Sequence, residues 1–61
     1  MKRYSIVLAF MRRHEGNIEF QIMNDILYAN NEHEALDKAM STIPLQFKDY
    51  GVIDKIVTEI S

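Results

Sequence analysis

Tyr4, Ile6, Leu8 and Phe10 place large apolar side chains at every second position, and the residues between them, Ser5, Val7, Ala9 and Met11, are smaller but hardly polar. A period of two in β-branched and aromatic residues predicts a strand over residues 3–11. Both of its faces are apolar, which suits a central strand. A second alternating run follows, with Ile18, Phe20 and Ile22 set against Glu19, Gln21 and Met23, the pattern of a strand with one wet face. The two runs predict a hairpin. Directly paired residues share a face, so bringing Ile18, Phe20 and Ile22 to the Phe10 side excludes a two-residue loop. A three-residue loop, His14-Glu15-Gly16, places glycine at the left-handed third position and pairs Phe10 with Phe20 and Leu8 with Ile22. Leu27 and Ala29 then reach the same side only if one extra residue is inserted, which predicts a bulge at Met23-Asn24-Asp25. The alternative turns Ile26 and Tyr28 inward and leaves Asn24 in the core.

The period changes after Ala29. Asn31 has the side chain of a helix cap, and Glu34, three residues on, can reach back to it. Glu32, Glu34 and Asp37 set negative charge near the positive end of the helix dipole. Ala35, Leu36, Ala39, Met40 and Ile43 form one apolar stripe, and Pro44 ends the helix near Thr42. Leu45 and Phe47 are expected to tuck beneath the helix end. Residues 52–60 read as a last strand, with Val52, Ile56 and Ile60 on one side and Ile53 and Val57 on the other.

These elements predict an α+β fold of β-β-α-β type, a three-stranded antiparallel sheet in the order 2-1-3 with one helix on one face. The helix returns the chain to the side of the first strand, which puts that strand in the middle. One short helix covers only one side of the sheet. Val7, Ala9, Met11, Met23, Ile53 and Val57 are therefore expected on an open apolar face, as partner-binding residues. The occupant is a second copy, stacked sheet on sheet in a two-fold dimer, or a different macromolecule. Long side chains such as Arg3, Lys55 and Glu59 shade part of this face. The outer strand edges are a second docking surface.

Composition narrows the chemistry. A 61-residue chain reads as one domain, near the size at which only ~60% of the unfolded surface is buried. It has no cysteine, so disulfides and thiolate metal sites are excluded, in keeping with a reducing cytoplasm. Lys2 and Arg3 precede an apolar run, but Arg12 and Arg13 interrupt it and no signal-peptide cleavage site follows. The run is also shorter than the ~20 residues of a membrane span, so a cytoplasmic protein with no membrane contact is expected.

A formal charge of −2 argues against a protein whose main business is phosphate neutralisation. Arg12, Arg13 and Lys55 are nonetheless candidate contacts for nucleic acid or an acidic partner. They support the alternative of a dimeric, antitoxin-like regulator that touches nucleic acid through a basic hairpin tip. His14 and His33 lie on different elements without metal-ligand spacing. No nucleophile has an adjacent base, and no glycine loop is built for phosphate. The expectation is a small protein-interaction module with no catalytic residues, metal or cofactor.

Tyr28-Ala29 followed by Glu34-Ala35-Leu36 and Ala39 resembles the strand-to-helix join of small β-β-α-β proteins from bacteria and their phages. The resemblance spans roughly residues 18–60. It is nearest to the phage inhibitors of host RNA polymerase, and the HicB-type antitoxins have a similar join. It implies a protein that acts by binding, as an inhibitor or regulator of a host protein. The polymerase inhibitors use basic residues of the last strand, where this chain has Lys55, with Asp54 and Glu59 beside it.

Overall fold

The computed structural model describes residues 1–60. Strand β1 spans Lys2–His14 and β2 spans Asn17–Ala29; helix α1 spans Glu32–Ser41, a single 3₁₀ turn occupies Leu45–Phe47, and β3 spans Gly51–Glu59. The three strands form one antiparallel sheet in the order β2-β1-β3, with α1 against one face. This is the α+β architecture and strand order that the alternation predicts.

Four alternate side chains of β1 build the core. Tyr4, Ile6, Leu8 and Phe10 are buried on the helix side together with Ala29, Ala35 and Ala39. Small side chains at the last three positions let α1 sit close to the end of β2. Met23, Leu27, Leu36, Ile43, Phe47, Tyr50, Val52 and Val57 close the margins of this core. Met40, assigned to the same helical stripe, is exposed, and so is Leu45 at 85%. Of the two residues expected beneath the helix end, only Phe47 packs there. Its ring lies 5.1 Å from that of Phe10 and 5.5 Å from that of Tyr50.

The helix starts where its cap dictates. The Asn31 side chain accepts from the Glu34 amide at 2.8 Å. The Glu34 carboxylate turns to the Asn30 side chain at 3.1 Å and to Lys38 at 3.3 Å. Lys38 also donates to the Tyr28 carbonyl at 2.8 Å, tying the helix to the end of β2. Thr42 ends the helix with its amide and hydroxyl on the Ala39 carbonyl, and Pro44 prevents continuation.

The hairpin differs from expectation. His14 pairs with Asn17, which leaves a two-residue turn of Glu15 and Gly16 with φ of 51° and 81°. Two successive positive φ values give a type I′ turn, whose twist matches that of the flanking strands. The register is therefore Met11 to Phe20 and Ala9 to Ile22, and Phe10 faces Gln21. Ile18, Phe20 and Ile22 lie on the side away from the helix. Met23, Leu27 and Ala29 share the helix-side parity without any insertion, so β2 runs unbroken and the bulge expected at Met23-Asn24-Asp25 is absent.

The irregularity sits in β3 instead. Ala9 pairs with Asp54 and Phe10 with Val52, which makes Ile53 the extra residue. That bulge lets Val52 and Val57 both reach the core, although an unbroken strand would send them to opposite faces. The sidedness expected for β3, with Val52 grouped with Ile56, is corrected accordingly.

Candidate interaction surface

The face opposite α1 is assembled by register alone. From β1 it takes the odd positions, Val7, Ala9 and Met11 among them; from β2 the even positions; and from β3 Ile56, which pairs with Val7. Phe20 is 63% and Ile22 65% exposed, and Ile18, Ile26, Tyr28 and Ile56 are exposed beside them. The central-strand residues Val7, Ala9 and Met11 are half-buried between these taller neighbours. The result is a contiguous apolar strip along the sheet rather than scattered single side chains, which is the kind of surface that marks an interaction site.

Three of the residues assigned to this face from sequence, Val7, Ala9 and Met11, lie on it. Ile53 is exposed at the β3 bulge. Met23 and Val57 do not belong to it: both pack against the helix-side core. Met23 was misplaced by the parity of the hairpin loop, and Val57 by the sidedness of β3, which the bulge at Ile53 resets. Sequence reasoning missed Ile18, Phe20, Ile22, Ile26, Tyr28 and Ile56. The signal that could have found those of β2 was the shared parity of Met23, Leu27 and Ala29, which a two-residue turn at Glu15-Gly16 satisfies with no bulge.

Of the polar groups on the strip, Asn24 and Asp54 are engaged within the chain, whereas the Arg3 Nε is buried with no hydrogen-bond partner among the described residues. Asn24, between Ile22 and Ile26, donates from its side-chain amide to the Ser5 hydroxyl at 3.2 Å and the Ile6 carbonyl at 3.1 Å. Arg3 and Arg13 stand toward opposite ends of β1, and Asp54 sits on β3 opposite Ala9. The Asp54 carboxylate accepts from the Lys55 amide at 2.9 Å.

The basic residues do not converge. Arg12 points to the helix side, where it pairs with Glu19 and lies 4.8 Å from the Tyr50 ring centroid. The Glu19 hydrogen bond raises the Arg12 pKa further above its ordinary value. Its charge is thus engaged within the hairpin. Arg13, next in sequence, projects to the opposite face and pairs with Ile18, while Lys55 stands opposite Leu8 on the helix side. The structure separates the three basic candidates over two faces.

The acidic surface belongs to α1. Glu34 bridges Lys38, and His33 lies 3.4 Å from Asp37 one turn on. The Lys38 hydrogen bond, assisted by Asn30, holds the Glu34 carboxyl below its ordinary pKa. Among the described residues no three metal-ligating side chains converge, no concave pocket forms, and no helix is long and apolar enough to cross a membrane. No family model, curated protein or solved structure matches this chain.

Proposed function

We propose that this chain is a non-enzymatic protein-interaction module whose working surface is the apolar face of its sheet opposite α1. One observation carries the reading: Phe20 and Ile22, with Ile18, Ile26 and Ile56 around them, are more than two-fifths exposed on a continuous strip, while the chain's own core uses the other side of the same strands. Leaving such a strip in water is unfavourable by roughly 25 cal/mol per Å² of apolar surface that a partner would cover. The resemblance to phage and bacterial regulators adds an inhibitory or regulatory role to this reading. The dispersed positions of Arg12, Arg13 and Lys55 favour no second reading through nucleic acid.

The test compares surfaces. An immobilised chain is offered a mixture of cell proteins together with tagged copies of itself, and the retained proteins are compared for the wild type, Ile22→Lys and the helix variant Asp37→Asn. The reading expects retention to be lost with Ile22→Lys and kept with Asp37→Asn. Equal retention by all three baits, or loss confined to the helix variant, overturns it.

A further inference from the structure

We infer that the occupant of the open sheet face is a second copy of this chain, stacked sheet on sheet about a two-fold axis. The inference rests on reading that face as the interaction surface, and adds what covers it.

Area supports it first. Strands of 13, 13 and 9 residues, rising ~3.3 Å per residue and ~4.8 Å apart, outline a face of roughly 550 Å². Two such faces in contact bury on the order of 1,100 Å², above the ~1,000 Å² that a specific interface needs. Layering supports it second. A sheet buries each apolar face against another layer, and here α1 supplies one layer only. A second copy supplies the other and turns the strip into the core of a sandwich.

Composition supports it third. The strip is aliphatic and aromatic along its middle, with Arg3 and Arg13 toward its ends and Asp54 on β3, so its middle offers a strongly acidic or basic partner nothing to pair with. Asn24 keeps both amide hydrogens within its own sheet, so closing a second sheet over it strands neither donor. The acidic groups Glu32, Glu34 and Asp37 are on α1, behind the sheet. Two copies joined face to face hold those like charges two layers apart. A symmetric contact also needs a self-complementary surface, and a strip that is apolar along its middle meets that requirement.

The experiment is sedimentation equilibrium of the wild type and Phe20→Glu across a dilution series. The wild type is expected at twice the chain mass, dissociating on dilution, and Phe20→Glu is expected to raise the dissociation constant about 100-fold or more. Because Phe20 is largely exposed within one copy, the glutamate does not enter the chain's own core. Hydroxyl-radical labelling of wild-type Phe20 gives an answer even if that variant fails to fold: labelling should fall as concentration rises through the association range. A wild type that stays at single-chain mass at every concentration overturns the dimer. So does a dimer unchanged by Phe20→Glu, or wild-type Phe20 labelling that stays constant while the mass doubles. A single-chain result leaves the broader reading standing or falling on the Ile22→Lys capture, so the two failures are distinguishable.

Discussion

At the residue scale, two positions set the hairpin and one sets a pH response. Glu15 has φ of 51° and Gly16 has φ of 81°, so both lie in the left-handed region, where only glycine is free of steric cost. A Cβ added at Gly16 would meet nothing within 4 Å, so any penalty there comes from the backbone. Gly16→Ala is expected to destabilise by about 1 kcal/mol, and Glu15→Asn to stabilise by up to ~1 kcal/mol because asparagine tolerates this geometry. Chemical denaturation of the two variants checks both signs. An alanine that costs nothing would contradict the type I′ turn.

Glu34 carries the pH dependence. Lys38 first, then Asn30, depresses its pKa in the folded chain, so the unfolded chain binds this proton at higher pH than the folded one. Its stabilising contribution is therefore present above the ordinary carboxylate range and is lost as pH falls through the depressed value. Glu34→Gln should flatten that part of the acid limb in a plot of denaturation midpoint against pH. An unchanged limb would show that the Asn30-Glu34-Lys38 chain is not formed in solution. The exposure of these groups to solvent limits the effect to a modest one.

At the element scale, the helix and the strand order were legible in the sequence because their signals are local. The cap at Asn31, the stop at Pro44 and the doubly apolar first strand each act through chemistry within a few residues. The β2 register was not legible in the same way. Ile18, Phe20 and Ile22 are more apolar than Glu19, Gln21 and Met23, and assigning the most apolar parity to the core moved the β2 side chains before the expected bulge to the wrong face, while Leu27 and Ala29 face the core as expected. The rule fails because these residues are not the core of one chain. Their exposure also agrees with a face that is covered by something else. The β3 bulge at Ile53 was hidden for a related reason: Val52, Ile53, Ile56 and Val57 satisfy either sidedness, and only the position of Phe10 decides between them.

The hairpin register has its own check. Cross-strand proton contacts by NMR should join Met11 to Phe20 and Ala9 to Ile22. Contacts of Phe10 with Phe20 and Leu8 with Ile22 would instead establish the three-residue loop, and the open strip would lose its three strongest side chains. The aromatic series Phe10, Phe47 and Tyr50, ending at Arg12, should give further contacts on the opposite side of the sheet. It closes the end of the helix side that a ten-residue helix, about 15 Å long, does not reach along a 43 Å molecule.

At the scale of the whole molecule, the two sides of the sheet have divided their tasks. The helix side has a core of one large aromatic and aliphatic series, with Ala29 of β2 beneath α1 and Ala35 and Ala39 on the inner face of α1. The opposite side has apolar residues in similar number and no layer to bury them. A chain of 61 residues gains little stability from the first side alone. Pairing two copies through the second side adds stability by mass action, so the thermal midpoint should rise with protein concentration.

The central claim is that the strip carrying Phe20 and Ile22 is the surface through which copies meet. An isotope-filtered NMR experiment on a one-to-one mixture of labelled and unlabelled chains reports only contacts between copies. The account predicts intermolecular contacts from Phe20, Ile22 and Met11 and none from Leu36 or Ala39. Intermolecular contacts confined to α1, or to no residue of the open face in a sample of dimeric mass, would contradict it.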